Sequence, residues 1–208
     1  MPNVVSQSLP DWESVYRLIP SHFPPINLFE EVAEPEDLEI IFAIEALTND
    51  RILAEAGELA LVPLEQRICG PGSSPVMAAF SHIGIPSRFT DGEDYGVYYA
   101  ARDLKTAIKE TVYHRENFLR QTNESDTELT MRSYANKIAL EMHDTRDDQY
   151  QHLHTEDYGP SQLFAASIRA TGSNGLIYQS VRDPGGQCIA AFKPTAVTIP
   201  VQAGHFKY

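Results

Sequence analysis

Between Ser87 and Glu116 the chain reads SRFTDGEDYGVYYAARDLKTAIKETVYHRE, and three kinds of side-chain chemistry meet in that stretch. The guanidinium of Arg88 can grip a phosphate or pyrophosphate through two parallel hydrogen bonds, a geometry that lysine cannot copy. Tyr98 and Tyr99 offer aromatic faces that suit a flat cationic ring such as nicotinamide. The carboxylate of Glu110 can stabilise the oxocarbenium-like sugar formed when a nicotinamide–ribose bond breaks, or it can hold a ribose hydroxyl. Together these preferences describe a cleft for a dinucleotide such as NAD. Each residue also has an ordinary reading. Arg88 can pair with Asp91, Glu93 or Asp94, the tyrosines can pack in a core, and Glu110 can pair with His114 one helical turn on.

A second segment, GSNGLIYQSVRDPGGQCIAAFKP from Gly172 to Pro194, places Ser180 at a strand end. Its hydroxyl suits a ribose or the nicotinamide amide better than nucleophilic attack, because no G-x-S-x-G elbow surrounds it. Arg182 adds positive potential nearby unless Asp183 neutralises it. His152, His154, Glu156 and Asp157, with His143 and Asp144, are potential metal ligands. Their spacing matches no recognised zinc site, so no metal is expected. Cys69 and Cys188 lie in no reactive motif and read as free thiols. GPGSSP (Gly70 to Pro75) lacks the lysine of a phosphate-binding P-loop and reads as the start of a short helix through Met77 and Phe80.

The elements that must position these residues follow from periodicity. Val15 to Pro20 (VYRLIP) alternates and reads as a strand. Pro35 to about Thr48 carries an apolar stripe with acids at its first turn, predicting a helix, and a second short helix fits Asp50 to Ala60. Gly96 to Ala101 reads as an apolar strand whose alternation sends Tyr98 and Tyr99 to opposite faces. Asp103 caps a predicted helix to about Leu119. Glu128 to Met142 reads mainly as strand, and Ser161 to Ala170 as a helix ended by Gly172. Strands are predicted at Gly175 to Val181, Gln187 to Lys193 and Ala196 to Val201, the first two joined by a hairpin at Asp183-Pro184-Gly185-Gly186. The class is mixed α+β, without the regular strand–helix repetition of a Rossmann fold.

At 208 residues the chain is sized for one well-buried core. Its net charge of −13 argues against nucleic-acid binding through a broadly basic surface. No apolar run approaches the roughly 20 residues that span a bilayer. The N-terminus lacks a basic segment followed by an apolar one, so a cytoplasmic location is expected.

Four pieces occur in a telling order: YRL (Tyr16 to Leu18), SRF around Arg88, YYAARDLKTAIKE ending at Glu110, and SNGLIYQSVR containing Ser180. In this the chain resembles the RES-domain proteins, named for an arginine, a glutamate and a serine; Ser87 stands where the family has glycine. The resemblance implies an α+β fold like the ADP-ribosyltransferase toxins, with small β-sheets and flanking helices around an NAD cleft. It implies a single domain over 1–208 with an extended N-terminal helical segment at about 21–86. It further implies the toxin of a toxin–antitoxin pair, neutralised by a cognate Xre-type helix-turn-helix antitoxin. NAD would be substrate rather than resident cofactor, consumed by hydrolysis or phosphorolysis, or its ADP-ribose passed to a protein. Carried over by position, Arg17 and Arg88 bind the phosphates and Tyr98, two residues before Ala100, lines the nicotinamide pocket. Glu110 is then the catalytic carboxylate and Ser180 orients the substrate. The alternative is an NAD-binding module without catalysis; a homodimer is compatible with either.

Overall fold

The computed structural model describes residues 5–21, 34–38, 40, 58–122 and 127–208. Eight strands make one sheet: β1 (Gln7–Ser8), β2 (Val15–Pro20), β3 (Tyr98–Ala101), β4 (Thr130–Asn136), β5 (Met142–Asp144), β6 (Gly175–Gln179), β7 (Gln187–Ala191) and β8 (Val201–Lys207). Their spatial order is β1-β5-β6-β7-β3-β2-β4-β8. Neighbours pair antiparallel except β5 and β6, which run parallel. The mixed α+β class holds, and the small sheets implied by the resemblance are here joined into one by the β7–β3 ladder.

Side chains alternate across this sheet, and each face is covered by helix. On one face Val15, Tyr98, Ala100, Ile177 and Ile189 pack under Val76, Met77 and Phe80 of α1 (Ser74–Ser81). On the other, Leu18, Ala101, Leu176, Tyr178 and Cys188 pack with Ala107 of α2 (Leu104–Arg120) and Ala165 of α3 (Gly159–Ala170). The apolar stripe read from Leu104, Ala107 and Ile108 is what α2 turns toward the second face. Beyond α3, Gly172 takes a left-handed φ of 87° that ends the helix.

Two strand expectations shift. The run from Glu128 to Met142 divides into β4 and β5, which lie far apart in the sheet, because Lys137 to Glu141 leaves the ladder after the Ile138–Val197 bridge. The strand expected at Ala196 to Val201 is displaced: Pro194–Ala196 forms a 3₁₀ turn, and pairing with β4 begins only at Val201. Most of the helices expected over 35–48 and 50–60 lies outside the described residues; Leu59–Leu61 is a 3₁₀ turn.

Gly96 is where α1 and the strand leading into β3 touch backbone to backbone. A Cβ there would sit 2.1 Å from the Ala79 carbonyl oxygen and 2.6 Å from the Phe80 Cα. Gly96→Ala is therefore expected to push α1 off the sheet at a cost of about 1–3 kcal/mol. The reading is a lower urea midpoint; an unchanged midpoint would contradict this packing.

Candidate active site

Helix α2 carries Glu110 on the flank that faces the end of β6, where the chain turns at Ser180. The Ser180 hydroxyl donates to Glu110 Oε1 at 2.6 Å. The same oxygen accepts from the backbone N–H groups of Asp183 at 2.9 Å and Arg182 at 3.2 Å. With its proton on the carboxylate and its lone pairs occupied, Ser180 is an orienter of Glu110 and poorly placed as a nucleophile. The turn itself is tied to α2. Asp183 Oδ2 accepts from Thr106 Oγ1 at 2.8 Å and Oδ1 from Lys109 Nζ at 2.6 Å. Those donors hold the Asp183 carboxyl below its usual range, Lys109 first and Thr106 second.

Arg88 enters from the loop before β3 and is only 8 % exposed. Its Nη1 donates to the carbonyls of Leu153 at 3.1 Å and Thr155 at 2.8 Å, and its guanidinium lies 4.9 Å from the centre of the Tyr158 ring. Tyr99 fixes the other side of that loop: its hydroxyl meets Ser87 Oγ at 2.8 Å and accepts the Phe89 N–H at 3.0 Å. The carboxylate of Glu110 and the charge of Arg88 both act on the buried Tyr178 and Cys188, so the two lie around one centre.

The segment from His152 to Gly159 closes over this centre. Glu156 pairs with Arg182 through both carboxylate oxygens, Oε2 at 2.7 Å from Nη2, and Tyr113 donates to the same Oε2 at 2.9 Å. The Arg182 guanidinium lies 3.3 Å from the centre of the Tyr113 ring. Arg182 and the neighbouring hydrogen bonds hold the Glu156 carboxyl down at about 2. His154 leans on the Tyr178 ring, and its Nε2 is buried without a hydrogen-bond partner among the described residues. Loss of solvation pushes this imidazole down to about 4, aided by the charge of Arg88.

Of the five residues singled out in the sequence, Arg88, Glu110 and Ser180 gather on the face covered by α2. Arg17 and Tyr98 do not join them. Both project from the opposite face, where Arg17 stacks 4.7 Å from the centre of the Tyr98 ring and donates to the Tyr99 carbonyl at 3.1 Å. Tyr98 is fully buried, its hydroxyl on Asn136 Oδ1 at 3.2 Å. Strand alternation puts Tyr99, rather than Tyr98, on the face of the sheet that carries Arg88. The structure adds Tyr113, Glu156 and Tyr158 to this neighbourhood, and the loop carrying the last two shows only a loop-like composition in sequence.

The would-be metal ligands disperse to other tasks. His152 Nδ1 bonds the Gln149 carbonyl oxygen, Glu156 holds Arg182, and Asp157 accepts the Gly159 N–H. Asp144 chelates Arg146, and no cluster of metal-binding side chains forms among the described residues. Burial pushes the Cys188 thiol well up, and that of Cys69 up as well, which keeps both protonated.

Residues 64–208 match the model of the RES domain. The chain belongs to the RES domain family. The match begins at Leu64, so the RES region is completed in this sheet by β1 and β2 from upstream of it. An uncharacterized protein, y4oC of Sinorhizobium fredii (strain NBRC 101917 / NGR234), is 27% identical over 199 residues, spanning 94% of this chain and 82% of that protein. A chain in the crystal structure of the M. tuberculosis MbcT–MbcA toxin–antitoxin complex shares the fold with a TM-score of 0.51 at 9% identity, over 97% of this chain and 87% of that one. No helix among the described residues is long and apolar enough to cross a membrane.

The neutral His154 gives this RES protein a definite acid response. Its folded value of about 4 lies below the ordinary 6.5, so as pH falls through that window the unfolded chain binds a proton that the folded one refuses, and stability is lost. Glu156 adds a further loss only below 4.5. His154→Gln is expected to flatten the fall in Tm between pH 6.5 and 4.5, with His143, also held low by burial, keeping part of the slope. A Tm profile identical to that of the parent protein would refute the assignment.

Proposed function

We propose that this chain is an NAD-consuming toxin of a toxin–antitoxin system that cleaves the nicotinamide–ribose bond. The observation that carries the reading is the Ser180–Glu110 hydrogen bond of 2.6 Å beside the buried Arg88. It sets a carboxylate beside aromatic and cationic side chains, with Oε2 free of hydrogen bonds among the described residues. There Glu110 faces the ribose and stabilises positive charge at C1′ as the bond to the nicotinamide nitrogen breaks; nicotinamide departs with the bonding pair, and an acceptor oxygen forms the new bond to C1′. Ser180 keeps the carboxylate in that orientation, and Arg88 attracts the phosphates. Tyr99 positions Arg88 through Ser87 and Phe89. Arg17 and Tyr98 lie on the opposite face of the sheet, stacked on one another.

The acceptor is water, inorganic phosphate or a protein side chain, the last making the chain an ADP-ribosyltransferase. Fold likeness to a chain of a toxin–antitoxin complex supports a cognate antitoxin, with a helix-turn-helix protein of the Xre type as the proposed partner.

Incubation of the purified chain with NAD is expected to release nicotinamide, and mass analysis with and without phosphate identifies the acceptor. Glu110→Gln should reduce release by about 10²–10³-fold, and Ser180→Ala by about 10- to 100-fold. Tyr99→Phe should raise KM while Tyr98→Phe leaves turnover intact. Normal release by Glu110→Gln in a protein of unchanged Tm would sink the mechanism.

A further inference from the structure

Arg182 is buried to a degree that its partner is not. Its side chain is 12 % exposed, whereas that of Glu156 is 65 % exposed. The orientation of the guanidinium is set from elsewhere, by the Tyr113 ring beneath it and by the turn that begins at Ser180. Glu156 therefore contributes a carboxylate to a prearranged anion pocket, made of the Arg182 fork and the Tyr113 hydroxyl. The positive field there has a second source, because Arg88 also acts on the Glu156 carboxyl. In a chain of net charge −13 such a concentration of guanidinium charge marks a place for an anion.

We propose that the Arg182–Tyr113 pocket is a phosphate subsite and that Glu156 occupies it as a surrogate anion until a phosphate-bearing ligand displaces it. This rests on the reading of the neighbouring centre as a dinucleotide site, and it adds a second guanidinium to Arg88. A phosphate brings more acceptor oxygens and more negative charge than a carboxylate to the same fork. An ion pair whose acidic partner stands largely in water is weak and readily exchanged. Displacement also frees the segment from His154 to Tyr158, which covers Arg88. Glu156 is thus a determinant of ligand affinity, competing for Arg182 and holding the cover shut with one carboxylate.

Calorimetric titration of the full chain with ADP, and separately with inorganic phosphate, tests this without requiring turnover. Glu156→Gln is expected to tighten ADP binding about fivefold to tenfold. Arg182→Gln should weaken it by about tenfold or more, and the double variant should bind as weakly as Arg182→Gln alone, since Glu156 competes only through Arg182. Should Arg182→Gln fail to fold, Arg182→Lys keeps the charge, loses the fork and should erase most of the gain from Glu156→Gln. A gain with ADP alone assigns the subsite to a nucleotide diphosphate; an equal gain with inorganic phosphate assigns it to the free anion. Unchanged or weaker ADP binding by Glu156→Gln, in the absence of a phosphate gain, overturns the proposal, as does a gain that survives in the double variant. Binding that follows this pattern without any nicotinamide release would instead discard the catalytic reading and leave the subsite standing.

Discussion

The buried carboxylate of Asp183 is the constraint on which the centre depends. Its side chain is anchored to the first turns of α2 through Thr106 and Lys109, and its own backbone closes the turn, donating to Ser180 Oγ and accepting from the Gly186 N–H. One residue thereby sets the distance between the end of β6 and the helix that carries Glu110. The approach is close enough that a Cβ on Gly186 would lie 2.7 Å from the Thr106 side chain, so the turn requires a glycine there on packing grounds. A buried carboxylate with several donors costs far less than one left unpaired, which explains why a charged group can serve as the pin.

Around that pin the molecule separates two uses of the same residue types. On the α1 face Tyr98 is fully buried and Arg17 half-buried over its ring, and desolvation lowers the proton affinity of Arg17 while raising the Tyr98 hydroxyl to about 12. On the α2 face, Arg88 lies over Tyr158 at the start of α3, and Arg182 lies over Tyr113 of α2. Arginine thus lies over tyrosine on both faces of the sheet, within the strands on one and between helix and loop on the other.

Much of the fold was legible. The β3–α2 unit, α3, the β6–β7 hairpin and β2 follow from local periodicity and turn residues, and the convergence of Arg88, Glu110 and Ser180 follows their order in the chain. The choice between Tyr98 and Tyr99 was not legible from alternation alone, because alternation says that neighbours face opposite ways without saying which way α2 crosses. The part played by Glu156 and Tyr158 was hidden for a different reason. Their partners Arg182 and Arg88 are remote in sequence, and a loop of acids and aromatics has no period to read. β8 moved because its register is set by β4 across the sheet, with a shift between Arg132 and Tyr134, and not by its own residues.

The position of β2 bears on how the molecule comes into being. It lies between β3 and β4, pairing Tyr16 with Ala101 on one side and Val15 to Pro20 with Met131 to Asn136 on the other. During synthesis it leaves the ribosome early and must wait, unpaired on both edges, for partners made far later. The middle of the sheet is therefore assembled from contacts of high sequence separation, a topology that folds slowly. The helix carrying Glu110 has no complete sheet to rest on until the strands on either side of β2 have closed.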